Sequence, residues 1–120
     1  MKQIVLIEDN AGDIRLIKEI LLFATSEIRI RVAMDGEQAL QVLADSDFKP
    51  TLIILDLNIP RIPGLELLAR CKPSAPVVVF SSSSNPSEVH QAMELGVREC
   101  VEKPYDFQEF AKVVTKMIQD

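Results

Sequence analysis

Three apolar runs, residues 3–7 (QIVLI), 52–55 (LIIL) and 77–80 (VVVF), set the terms for any fold of this chain. Each is bounded by turn-forming residues, and segments of helical spacing lie between them. An unbroken apolar strand must be covered on both faces, which is the condition of central strands in a parallel sheet wrapped by helices. Two further segments alternate: residues 28–32 (IRIRV) and residues 99–102 (ECVE). Alternation leaves one face wet, so these two belong at the sheet edges. With right-handed crossovers, the pattern predicts an α/β fold with a doubly wound, five-stranded parallel sheet in the order 2-1-3-4-5.

Helix starts are marked by an Asx residue followed three positions later by a carboxylate or amide: Asn10 with Asp13, Asp35 with Gln38, Asn85 with Glu88, Asp106 with Glu109. Pro86 suits a first helical position. Apolar stripes follow on the first helix (Ile14, Ile17, Leu21), the second (Ala39, Leu40, Leu43) and the last (Phe107, Phe110, Ala111, Val114, Met117, Ile118). A length of 120 residues fits one domain, residues 1–120, with no metal or disulfide required to hold it. Cys71 and Cys100 lack C-x-x-C spacing and read as small buried apolar residues in a reducing compartment.

In the order 2-1-3-4-5, strands 1 and 3 are neighbours whose following helices leave on opposite sides, which opens a crevice at their carboxyl ends. Glu8 and Asp9 end strand 1 there, and Asp56 ends strand 3. Three carboxylates so close repel by about 4 kcal/mol per pair at a surface-like dielectric, and a cation must offset this. Hard oxygen ligands with room for water and phosphate suit Mg²⁺. The single histidine, His90, falls on the fourth helix, away from the crevice. Ser81 follows strand 4 and Lys103 follows strand 5. Taken singly, each of these residues suits an ordinary loop. Together they form a phosphoryl site in which Lys103 and the metal balance the oxygens, Ser81 donates a hydrogen bond, and Asp56 is the nucleophile that becomes an acyl phosphate.

A formal charge of −5, with Lys and Arg scattered singly, gives no basic stripe and argues against direct nucleic-acid binding. No apolar stretch approaches the roughly 18 residues of a membrane span, and the amino terminus has no signal-peptide pattern, so a cytoplasmic protein without a membrane partner is expected.

The set "IEDN" (residues 7–10), "LDLNIP" (residues 55–60) with Gly64, Ser81 with the small Ser82, and Lys103 before Pro104 resembles the receiver domain of two-component response regulators along essentially the whole chain. The likeness implies a flavodoxin-like, receiver-type fold and phosphorylation of Asp56 by a sensor histidine kinase or histidine phosphotransfer protein. It also implies Mg²⁺ held by Glu8, Asp9, Asp56 and the backbone carbonyl of Asn58, with Ser81 and Lys103 reading the phosphoryl group. Such a protein is not a turnover enzyme, and its signal leaves through contact with a downstream protein target. The likeness also allows a homodimer through the last helix. Residues 8–21 further resemble small stand-alone receivers that partner phytochrome-type sensor kinases. In this family the bond between the Lys and Pro positions is commonly cis.

The sequence departs from that pattern at Cys100, where many receivers carry an aromatic switch residue three positions before the lysine. Two prolines, Pro60 and Pro63, stiffen the loop after Asp56, and the third helix is clipped before Pro73. The loop of residues 81–85 (SSSSN), with a weakly apolar fourth helix (Val89, Ala92, Met93), points to the fourth helix, fifth strand and last helix as the face that responds to phosphorylation. Three other readings share the topology. A pseudo-receiver would bind partners without phosphorylation. A haloacid-dehalogenase-type phosphatase would want a general acid where Asn58 stands. A flavin-binding module would set Glu8 and Asp9 against its phosphate.

Overall fold

The computed structural model describes residues 1–82 and 85–119. Five strands alternate with five helices: β1 (Lys2–Ile7), α1 (Ala11–Ala24), β2 (Ile28–Ala33), α2 (Gly36–Ala44), β3 (Leu52–Leu55), α3 (Gly64–Cys71), β4 (Val77–Ser81), α4 (Pro86–Glu94), β5 (Glu99–Glu102) and α5 (Phe107–Met117). All strand pairs are parallel and run β2-β1-β3-β4-β5, the order read from the apolar pattern.

Because side chains alternate across a strand, each central strand feeds two cores. Val5, Ile7, Ile53, Leu55, Val77 and Val79 pack on the side of α2, α3 and α4. Ile4, Leu6, Leu52, Ile54, Val78 and Phe80 pack on the side of α1 and α5. The two edge strands are wetter: Arg29 of β2 is exposed, as are Glu99 and Glu102 of β5.

All four Asx caps form, with the side chains of Asn10, Asp35, Asn85 and Asp106 accepting from the backbone N–H three residues on. At α4 the capping box is complete, since the Glu88 side chain also accepts from the Asn85 N–H. Gln38 uses its side chain differently, accepting from the Met34 N–H at 2.8 Å. The third helix ends as its prolines require, on Lys72 in the left-handed conformation (φ 43°), whose N–H reaches the Leu68 carbonyl at 3.0 Å.

Three packing expectations need correction. Phe107, placed on the buried stripe of α5, is 60% exposed: it is the first residue of that helix, and its ring lines the open groove between α1 and α5. Val42 rather than Leu40 or Leu43 is the fully buried residue of α2 beside Ala39. Both cysteines are partly rather than fully buried, packed against the core from its margin. No peptide bond among the described residues is cis, so Lys103–Pro104 is trans here.

The loop from Asp56 to α3 is pinned at several points. Leu57, Ile59 and Ile62 are buried. Pro60 accepts from the Gly36 N–H at 3.1 Å, and the Gly64 N–H donates to the Leu57 carbonyl at 3.0 Å. Arg61 adopts a left-handed conformation (φ 72°), unusual for a residue with a side chain. Its guanidinium faces Asp35 at 3.4 Å and Glu37 at 3.6 Å, tying the loop to the start of α2.

Candidate functional site

Parallel strands end at a common level, so the residue after each faces the same crevice. Glu8 follows β1 and Asp56 follows β3; Ser81 is the last residue of β4 and Lys103 follows β5. Despite their polarity, Glu8, Asp56, Ser81 and Lys103 are the buried polar side chains of the described residues. Such groups are tolerated inside a fold when they satisfy one another.

Ser81 Oγ donates to Asp56 Oδ1 at 2.7 Å and accepts from the Leu57 N–H at 3.0 Å. The Asn58 N–H adds a second donor to Asp56 Oδ1 at 2.9 Å. The Lys103 ammonium donates to Glu8 Oε1 at 2.6 Å, Asp13 Oδ2 at 2.9 Å and Asp56 Oδ2 at 3.1 Å. Asp9 is exposed, yet one carboxylate oxygen from each of Glu8, Asp9 and Asp56 lies within 4.8 Å of the others. Every side chain that the sequence assigned to the crevice is therefore in it. His90 lies away from it on α4, facing Glu94 one turn on.

Burial, together with the nearby charge of Asp56, pushes the Glu8 carboxyl up to about 7 despite the relief supplied by Lys103. Burial pushes Asp56 upward too, but the Asn58 N–H, the Ser81 hydroxyl and Lys103 outweigh it and hold this carboxyl below its ordinary value. Burial opposes the charge on Lys103, but the hydrogen bonds it donates to Glu8 and Asp13 more than compensate and raise its affinity for the proton. The arrangement favours the ionised form of Asp56 and the charged form of Lys103.

Sequence reasoning missed Asp13, reading it only as the partner of the Asn10 cap. Its signal was position: an acid in the first turn of the helix that leaves the crevice carries its side chain back toward the strand ends. Ser83 and Ser84 of the serine loop lie outside the described residues.

The donor set fits a hard divalent cation. Three carboxylate oxygens from two strand ends offer hard ligands without sulfur or imidazole, while leaving positions for water and a phosphoryl oxygen.

Comparison with known proteins gives the same picture. The model of the response regulator receiver domain family matches residues 4–115. The chain is 33% identical over 123 residues to response regulator Rcp1 of Synechocystis sp., spanning 94% of this chain and 84% of that protein. The crystal structure of the Mn(2+)-bound form of Rcp1 superposes with a TM-score of 0.86 over 97% of this chain and 91% of that chain, at 33% identity. That of the phosphorylated cyanobacterial phytochrome response regulator RcpA gives a TM-score of 0.87 over 96% of this chain and 89% of that chain, at 35% identity. A protein-glutamate methylesterase/protein-glutamine glutaminase of Myxococcus xanthus is 38% identical over 107 residues, 84% of this chain but 29% of that protein. Fold, crevice and relatives agree, and the chain belongs to the response regulator receiver domain family, the phosphoacceptor modules of two-component signal transduction.

Proposed function

We propose that Asp56 is the phosphoacceptor, taking a phosphoryl group from a sensor histidine kinase or histidine phosphotransfer protein in a Mg²⁺-dependent reaction. The observation that carries this reading is the meeting of a hydroxyl, an ammonium and two further acids around one buried carboxylate. A carboxylate oxygen of Asp56 forms the new bond to phosphorus as the phosphorus–nitrogen bond of phosphohistidine breaks, and the imidazole leaves with the bonding pair and takes up a proton. Ser81 and Lys103 turn from the carboxylate oxygens to those of the phosphoryl group, where charge-assisted hydrogen bonds hold it. Glu8, Asp9, Asp56 and the Asn58 backbone carbonyl would hold the Mg²⁺, whose charge would offset that of the transferring group. The chain is not a turnover enzyme: Asn58, two residues beyond Asp56, offers an amide where a hydrolase of this type needs a general acid.

The donor protein has a natural seat. Asp13 and Lys103 share a cavity of about 310 Å³ with Leu16, Pro104, Tyr105, Phe107 and Phe110. Tyr105 is fully exposed, and the apolar strip continues past Phe107 and Ile20 to Phe23, 94% exposed, along the groove between α1 and α5. A protein delivering a phosphoryl group to Asp56 works beside Lys103, and the strip next to that lysine gives it apolar surface to bury. The signal then leaves through α4, β5 and α5 to a downstream protein.

Incubation with Mg²⁺ and acetyl phosphate, followed by mass spectrometry, tests the chemistry. One added phosphoryl group that is absent in Asp56→Asn is the expected result. Wild-type protein that stays unmodified, or a variant that is modified equally, refutes it.

A further inference from the structure

We propose that Asp13 is a positioning residue that slows phosphoryl entry by holding the Lys103 ammonium on a carboxylate that takes no part in the metal cluster. The proposal rests on Asp56 being the phosphoacceptor.

An ammonium has three protons to donate. In this protein all three are engaged, by Glu8, Asp13 and Asp56. To grip a phosphoryl oxygen, Lys103 must give up at least part of one of these bonds. Asp13 is set apart from the other acids. It is not among the three whose oxygens converge within 4.8 Å. It is also fixed independently of them, since its own N–H donates to Asn10 Oδ1 at 2.9 Å in the cap of α1. Its carboxylate therefore reaches Lys103 from the first turn of α1 and not from the acid cluster.

Asp13 is also partly open to solvent. Its side chain is 29% exposed and lines, with Lys103, a surface cavity. An incoming phosphodonor is anionic and approaches an ammonium that this carboxylate already flanks at 2.9 Å. Asp13 thus acts twice against phosphoryl transfer, by occupying a Lys103 donor and by adding negative charge. Neither effect requires it to touch the reacting atoms.

Asp13→Asn keeps an oxygen acceptor and removes the charge. The cap of α1 is spared because it uses the Asp13 backbone. Phosphoryl uptake from acetyl phosphate at fixed Mg²⁺ is expected to rise about tenfold in Asp13→Asn, a factor equivalent to about 1.4 kcal/mol. Asp13→Ala should also be faster, and Asp13→Glu should return toward the wild-type rate. A merely structural role would instead lower the rate in every variant. A second readout needs no metal: in metal-free protein, ¹⁵N NMR should show faster proton exchange at the Lys103 ammonium in Asp13→Asn than in wild type. If wild type takes up phosphoryl but Asp13→Asn is unchanged or slower, or if the ammonium exchange does not change, the role given to Asp13 is wrong while the phosphoacceptor stands. Wild type that takes up none overturns both.

Discussion

Ser81 Oγ lies 2.7 Å from Asp56 Oδ1 while also accepting the Leu57 N–H at 3.0 Å, so one fully buried hydroxyl joins the end of β4 to the acid that ends β3. Ser81→Ala strips a donor from Asp56 and leaves the Leu57 amide without its partner. A loss of about 1–3 kcal/mol in chemical-denaturation stability is expected from the orphaned amide. Loss of one charge-assisted bond should slow phosphoryl uptake by roughly tenfold to a hundredfold, measured with acetyl phosphate. Ser81→Thr, which keeps the hydroxyl, should retain most of the rate.

Glu8 links pH to stability in the metal-free protein. Its folded-state carboxyl titrates near 7, above the unfolded value of 4.5, so folding favours the protonated form. This contribution to stability is complete below about pH 4.5 and fades as pH rises through 7. Thermal melts in chelator should therefore fall between about pH 4.5 and 7 and level off above that, and Glu8→Gln should flatten that portion of the profile. Mg²⁺ added at pH 8 should raise the wild-type Tm, because the cation takes the place of the proton.

Gly64 begins α3 with its backbone against the loop that leaves Asp56. A Cβ there would stand 2.7 Å from Leu57 Cα and 3.2 Å from the Asp56 carbonyl oxygen. Both are backbone atoms and cannot swing aside. Gly64→Ala should cost about 1–3 kcal/mol, read by urea unfolding, and should slow phosphorylation by displacing the loop.

Tyr105 and Phe107 sit on the exposed strip beside Lys103 without contributing to the acid cluster. The double substitution to Ala should weaken transfer from a phosphorylated histidine protein by about tenfold or more, as loss of aromatic anchors does at other interfaces. Uptake from acetyl phosphate should be unaffected. Equal loss with both donors would place these rings in the chemistry instead of the docking.

The fold was readable because a doubly covered strand has no choice of residue on either face. Ile53 and Ile54 point into opposite cores, and both had to be apolar. Strand ends then placed Glu8, Asp56, Ser81 and Lys103 by topology alone. Asp13 was not readable in the same way, because a first-turn acid serves a helix terminus equally well without any partner. Phe107 was misread for a related reason: helical periodicity assigns a face but not the point at which a neighbouring helix ceases to cover it. Cys100, three residues before Lys103, packs half-buried against the core.

Arg61, in its left-handed conformation, faces Asp35 and Glu37 and ties the loop on one side of Asp56 to the start of α2. The opposite flank is softer, since α4 buries Ala92 alone of its own residues. With a single buried residue to anchor it, α4 is the side expected to shift when Asp56 carries a phosphoryl group.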